Sequence, residues 1–267
     1  MQNKALVLFI IMLLGVLSFV LFKVVNVTEL TKCSPEMANI VSGEAKIPKR
    51  IIQVWKTWSS KTPEMFANYT KSIRQLNPEY EYIMFKDEDI DIFLKTNYPD
   101  YYKTYLSLPM NIQKVDFARY VLIYHYGGFY FDLDVLGQQP LDNLLHNEIV
   151  FPIDEIIDGN MCNLKRFAPF CQRGYYFLLG QYGFAAMPRH PFLKELIEGI
   201  HANLNTYIRR VNFGSNEYVY QTTGPDFVTS KYLDYSNQKD IVILYNGKRQ
   251  CFGDYAKHYY VGTWKGE

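Results

Sequence analysis

The sequence predicts an α/β fold, a single domain built on a mostly parallel central sheet and preceded by one apolar N-terminal helix. Three observations lead there. From Arg50 to Val135, short apolar runs rich in β-branched and aromatic residues alternate with helical stretches, the pattern of βαβ units. A long helical stretch ends at Gly127-Gly128 and runs straight into another apolar segment. Ahead of these, Ala5–Phe22 carries no charge over eighteen residues, about what a helix needs to cross a hydrocarbon core of ~30 Å.

Ala5–Phe22 runs on into Lys23-Val24-Val25 rather than a small-x-small cleavage site, so it reads as an uncleaved transmembrane signal-anchor behind a cytoplasmic tail, Met1–Lys4. Lys4 on one side faces Lys23 and Lys32 on the other, so charge alone leaves the orientation open. Two N-glycosylation patterns, Asn26-Val27-Thr28 and Asn68-Tyr69-Thr70, favour a type II protein whose body faces a secretory lumen. So does the even cysteine set, Cys33, Cys162, Cys171 and Cys251, which contains no CxxC pair. Two disulfides have three connectivities; Cys162 with Cys171, closing a short loop, is the first expectation, and four unpaired buried thiols are the alternative.

Lys23–Lys46 is polar and aperiodic and reads as a stem; Ile47–Glu267 is the folded body. Arg50–Trp55 is a buried first strand, and a helix over Thr62–Leu76 opens on Thr62-Pro63. After the turn at Asn77-Pro78 come a strand over Tyr80–Phe85 and a helix over Glu88–Thr96. Met110–Tyr126 is a longer amphipathic helix, and Phe129–Val135 a strand. Beyond Pro140 the pattern weakens to a strand within Tyr175–Met187, a helix over Pro191–Val211, a helix near Gly224-Pro225 within Gln221–Asp234, and a strand over Asp240–Tyr245. Without a repeat or a second linker, one domain is predicted. A composition 48% hydrophobic supports a packed core, and a net charge of +1 without a basic stripe excludes nucleic acid as partner.

Strand alternation in Phe129–Val135 puts Tyr130, Asp132 and Asp134 on one face and Phe129, Phe131, Leu133 and Val135 on the other. Two carboxylates on one face of an apolar strand are costly to bury without positive charge nearby. A divalent cation with a pyrophosphate supplies it, because hard cations such as Mn²⁺ or Mg²⁺ take carboxylate and phosphate oxygens together. On the preceding helix, Asp116 and Arg119 share a face at i, i+3. They form either a surface ion pair or a pair aimed at the end of the next strand, where Arg would grip sugar hydroxyls or phosphate oxygens.

Asp116-x-x-Arg119-Tyr120 followed by Tyr126-Gly127-Gly128-x-Tyr130-x-Asp132-x-Asp134 resembles the core of the family 32 glycosyltransferases, the DXD sugar-binding-region enzymes. These include Golgi α-mannosyltransferases and inositol-phosphoceramide mannosyltransferases, with a more distant likeness to clostridial glucosylating toxins. Ile47–Lys56 is similar to the family's opening strand, His190-Pro191-Phe192 and Thr223-Gly224-Pro225 to its mid-domain landmarks, and His258 with Gly262-Thr263-Trp264 to its closing segment. The resemblance implies a GT-A type, Rossmann-like domain that moves a hexose, mannose first, from GDP-mannose or a UDP-sugar to a glycan or glycolipid hydroxyl. It implies Asp134, Asp132 and His258 as metal ligands, with Mn²⁺ ahead of Mg²⁺. It implies Trp55, Asp116, Arg119, Tyr130, Asp132, Gln181 and Trp264 as donor-binding residues, and Asp116, Arg119, Asp132 and Asp134 as the catalytic group. Gln181 stands where relatives often carry Asn, and Ile52 where a His commonly precedes Gln53.

The chemistry is the breaking of a glycosyl–phosphate bond, with a metal and Arg119 or Lys265 answering the charge on the leaving group. The family implies retention of configuration. The sequence offers no clear carboxylate nucleophile outside the DxD cluster, so same-face attack with the leaving phosphate as base is the expected route. Asp132-Leu133-Asp134-Val135 also fits the nucleophile motif of haloacid-dehalogenase-type phosphatases, but that motif belongs to a first strand, and no later Asp-Asp pair completes it. An inactive or lectin-like relative is the other alternative.

Overall fold

The computed structural model describes residues 43–55, 64–207 and 215–262. The expected anchor Ala5–Phe22, Asn26, Cys33, the helix start at Thr62-Pro63, Val211, Trp264 and Lys265 lie outside the described residues. Among the described residues no helix is long and apolar enough to cross a membrane.

The first half follows the predicted alternation: β1 (Arg50–Trp55), α1 (Glu64–Leu76), β2 (Glu81–Lys86) and α2 (Asp87–Asn97). A short helix α3 (Pro99–Ser107), not expected from the sequence, starts at once because Pro99 occupies its first turn, where no N–H is needed. Then come α4 (Asn111–Tyr126) and β3 (Gly128–Phe131). The second half holds β4 (Val135–Gly137), β5 (Ile149–Ile156), α5 (Ala168–Gln172), β6 (Phe177–Leu179), β7 (Gly183–Ala186), α6 (Pro191–Tyr207), α7 (Asn216–Thr222), α8 (Pro225–Asp234), β8 (Ile241–Leu244), β9 (Cys251–Phe252) and β10 (Ala256–His258).

Seven strands form one sheet in the order β2-β1-β3-β7-β5-β6, with β8 also paired to β5. The expectation of a mostly parallel sheet is corrected to a mixed one. β1 runs parallel to β2 and β3, and β8 parallel to β5, but β7 is antiparallel to both β3 and β5, and β6 is antiparallel to β5. The reason lies in β6 and β7, which run end to end along β5 and are interrupted at 180–182. Both therefore take one chain direction, against that of β5. Gln181 sits in that interruption. A second sheet, β4-β10-β9, is antiparallel and pairs Val135 with His258.

The α4–β3 junction depends on its two glycines. Gly127 and Gly128 have φ of 65° and 99°, and a Cβ on Gly128 would lie 2.6 Å from the Arg50 carbonyl oxygen. The helix they close is not amphipathic, as the sequence suggested, but buried at every position from Asp116 to Ile123. α6 covers part of its surface, while its Tyr120 ring meets Phe184 of the sheet. Polar residues inside such a helix must find partners within the protein. Cys162 and Cys171 form a disulfide closing the 161–172 loop, and Cys251 is a buried free thiol.

Candidate active site

β3 ends at Phe131, so Asp132-Leu133-Asp134 is a tight turn rather than a continued strand. The Val135 N–H bonds to the Asp132 carbonyl at 3.2 Å and closes that turn. Tyr130 and Asp132 do share a face, since the Tyr130 hydroxyl donates to Asp132 Oδ1 at 2.7 Å. The turn swings Asp134 instead toward the small sheet. There its carbonyl accepts the Tyr259 N–H at 2.9 Å, its Oδ2 accepts the Val261 N–H at 2.8 Å, and its Oδ1 lies 3.2 Å from His258 Nε2.

The ion pair of α4 is not on the surface. Asp116 and Arg119 are 0% and 2% exposed. Arg119 Nη2 reaches Asp116 Oδ1 at 3.0 Å, and its Nη1 donates to the Gln181 carbonyl at 2.9 Å and lies 3.4 Å from Asp132 Oδ1. The guanidinium rests on the Tyr130 ring, 4.7 Å from its centroid. Asp116 also accepts the Thr223 hydroxyl at 2.7 Å and the Gln181 amide N–H at 3.1 Å. The Tyr120 hydroxyl faces both Gln181 Oε1 and the Thr223 carbonyl. Thr223-Gly224-Pro225 thus acquires a physical account. Thr223 holds Asp116, a Cβ on Gly224 would meet Tyr220 Cα at 2.8 Å, and Pro225 starts α8. His190, by contrast, serves the start of α6, accepting the Phe192 N–H at 3.1 Å.

Asp116, Arg119, Tyr130, Asp132, Asp134 and His258 line one cleft of about 880 Å³, within the range of small-ligand sites, together with Trp55, Gln181 and Tyr182. Trp55 packs edge-on against Phe66 at the end of β1. Trp264, the remaining expected donor contact, lies outside the described residues. Burial raises the Asp132 carboxyl, with Arg119 pulling it back down. Burial acts on Asp134 in the same sense, but hydrogen bonds from His258 and Val261 outweigh it and hold the carboxyl below its usual range. Burial raises Asp116 to about 6 against the pull of Arg119.

Asp132, Asp134 and His258 each present a ligand atom within 4.8 Å of the others, so together they could hold a divalent cation. The donor set of two carboxylates and an imidazole suits Mn²⁺ or Mg²⁺, and among the described residues no cysteine joins it. The outer partners fit as well. Gln250 donates to Asp154 Oδ1 at 3.0 Å, and its own amide oxygen lies 2.6 Å from His258 Nδ1.

Several residues in or behind the cleft escaped the sequence reading. Gln53, fully buried, donates to the Asp132 carbonyl at 3.2 Å while accepting from Thr70 and Tyr82. Asp154 and Glu155 add carboxylates to the cleft beyond the DxD turn. The signal for Asp154 was an acid inside the apolar run Ile149–Ile156; Gln250, in a loop, left none. Arg166 comes from the disulfide-closed loop. It pairs with Asp226 at 2.6 Å and lies over the Tyr220 ring at 4.3 Å.

The family model of the glycosyltransferase sugar-binding region containing a DXD motif matches residues 63–151. The chain is 34% identical over 194 residues to inositol phosphoceramide mannosyltransferase 1 of Schizosaccharomyces pombe, covering 71% of this chain and 52% of that protein. To inositol phosphoceramide mannosyltransferase 2 of the same organism it is 34% identical over 170 residues, covering 63% and 43%. To an initiation-specific alpha-1,6-mannosyltransferase of Candida albicans it is 27% identical over 207 residues, covering 71% and 53%. The chain spans about half the length of the curated relatives it matches. Among solved structures it is similar to the PaToxG glycosyltransferase, with a TM-score of 0.49 and 13% identity over 82% of this chain and 81% of that one. The chain belongs to the family whose mark is the glycosyltransferase sugar-binding region containing a DXD motif.

Proposed function

We propose that this chain is a metal-dependent, retaining glycosyltransferase of GT-A type. In this reading it moves mannose from a nucleotide-diphosphate donor, GDP-mannose first, to a hydroxyl of a glycan or glycolipid. The observation that carries the reading is the meeting of Asp132, Asp134 and His258 with the buried Asp116–Arg119 pair in one cleft. The mannosyltransferase names of the curated relatives support the sugar.

When bound at Asp132, Asp134 and His258, a divalent cation supplies positive charge to the diphosphate leaving group. Arg119 adds a guanidinium fixed in one orientation by Asp116, the Gln181 carbonyl and the Tyr130 ring. Asp116 and the Gln181 amide face the hydroxyls of the donor sugar, and Trp55 takes the base against its ring. Same-face attack is supported by the condition of two of the other carboxylates in the cleft, Asp116 and Asp154. Asp116 already accepts from Arg119, Thr223 and Gln181, and Asp154 from Gln250. A glycosyl ester trapped on either would contradict that route. We assign Arg166 and Tyr220, which line the same cleft, to the acceptor. The disulfide supports an oxidising compartment, consistent with a lumen-facing body anchored by Ala5–Phe22.

The test is a transfer and hydrolysis assay with GDP-mannose, UDP-glucose and UDP-galactose in the presence of Mn²⁺. GDP-mannose is expected to turn over fastest. Asp134→Asn is expected to lower the rate about 100-fold or more, corresponding to about 3 kcal/mol of transition-state charge stabilisation. Turnover unchanged in the variant would reject the site, and a faster UDP-sugar would reject mannose.

A further inference from the structure

We propose that Gln250 is a positioning residue: it sets the protonation pattern of the His258 ring so that Nε2 offers a lone pair to a cation. The inference rests on reading Asp132, Asp134 and His258 as a cation site, and it assigns a role to a residue outside that cluster.

The Gln250 amide is oriented by its own partner. Its Nε2–H donates to Asp154 Oδ1 at 3.0 Å, and a carboxylate can only accept. Its oxygen is therefore the atom turned toward His258, at 2.6 Å from Nδ1. An amide oxygen cannot donate, so the proton sits on Nδ1 and the network assigns the Nδ1–H tautomer. In the neutral ring that leaves Nε2 unprotonated, 3.2 Å from Asp134 Oδ1. Two acceptors then face each other, so what lies between them is either a cation or a second ring proton that hydrogen-bonds to Asp134. Histidines that bind metals are held in this way, with the far N–H given to a fixed oxygen.

The backbone points to the same residue. Gln250 has φ of 59°, in the left-handed region that glycine fills most easily. Its side chain spans Asp154 and His258, and its carbonyl accepts the His258 N–H at 2.8 Å. One residue thus holds His258 by backbone and side chain at once. The Tyr182 ring fixes the imidazole plane, stacked at 4.4 Å and 13°. Without the Gln250 oxygen, the ring would be free to move its proton to Nε2 and donate to Asp134, turning a ligand into a closed hydrogen bond.

The first measurement is long-range ¹H–¹⁵N NMR of the unsubstituted, metal-free chain, which reads the tautomer directly. The Nδ1–H form of His258 is expected, and the Nε2–H form would overturn the proposal. The second is Mn²⁺ affinity, followed by the paramagnetic signal of free Mn²⁺. Gln250→Met, which keeps the length but removes the acceptor, is expected to weaken Mn²⁺ binding about ten- to a hundredfold. The double variant Gln250→Glu/Asp154→Asn reverses the polarity of the relay while still presenting an oxygen to His258, and is expected to bind Mn²⁺ at the native level. In a His258→Ala background, Gln250→Met should cost nothing more. If Gln250→Met binds Mn²⁺ as tightly as the native chain, or the double variant is equally weak, the positioning role is wrong. If the native chain itself does not bind Mn²⁺, the cation-site reading fails instead. Should Gln250→Met not fold, the tautomer of the native chain still decides.

Discussion

A carboxylate and a guanidinium taken out of water are each costly, and Asp116 and Arg119 remain inside α4 because each answers the other. Asp116 has further donors in Thr223 and Gln181, which offset part of the cost of its burial. Removing it leaves a buried guanidinium against Asp132 alone. Asp116→Ala is therefore expected to lower stability by about 3–5 kcal/mol, and Asp116→Asn, which can still accept from Thr223, by less. Urea unfolding checks the pair, and equal small losses for both would show that the pair is not integral to the fold. The sequence already contained this arrangement in part. Asp116 and Arg119 interrupt an apolar helix, and that interruption marked them. Whether they faced solvent or the cleft could not be decided from i, i+3 spacing, which is the same on every face.

At the scale of elements, the legible part is the half where periodicity is strong. Arg50–Trp55, Phe85, Tyr126 and the Gly127-Gly128 stop mark their elements closely, because β-branched runs, turn residues and a left-handed cap each have a local cause. The DxD segment was only half legible. Alternation put Tyr130 beside Asp132 correctly, but the turn closed by Val135 sends Asp134 to His258, a contact set by β4–β10 pairing across more than a hundred residues. β5 and the interrupted β6–β7 run were not legible as a sheet centre, since Pro152 and Asp154 break the apolar pattern. The loop that carries Arg166 gives a prediction of its own. Its disulfide spans nine residues and limits the unfolded chain by about 2–3 kcal/mol in the entropy model. Replacing Cys162 and Cys171 with Ala is expected to raise KM for the acceptor while leaving KM for the donor nearly unchanged. Equal effects on both would place Arg166 outside acceptor recognition.

At the scale of the whole molecule, acid should act on activity and on stability in opposite senses. Burial raises Asp116 and Asp154 to about 6 each. As pH falls through about 6, Asp116 loses the charge that fixes Arg119, and donor affinity drops. The folded state binds these two protons more tightly than the unfolded chain, whose carboxyls titrate near 3.8. The contribution of these groups to stability therefore rises as pH falls from about 6 toward about 4. Calorimetry of Asp154→Asn tests the sign. The Tm of the variant minus that of the native chain should fall as pH falls from about 7 to about 4, and a constant difference would contradict it. The cleft acts as a unit in this reading: Asp132, Asp134 and His258 hold a cation, which in turn holds a nucleoside diphosphate. Titration calorimetry of GDP, with UDP alongside, into the native chain with Mn²⁺, with EDTA, and into Asp134→Asn with Mn²⁺ tests it most directly. Tight nucleotide binding is predicted in the first case and its loss in the other two; equal binding in all three would contradict the account.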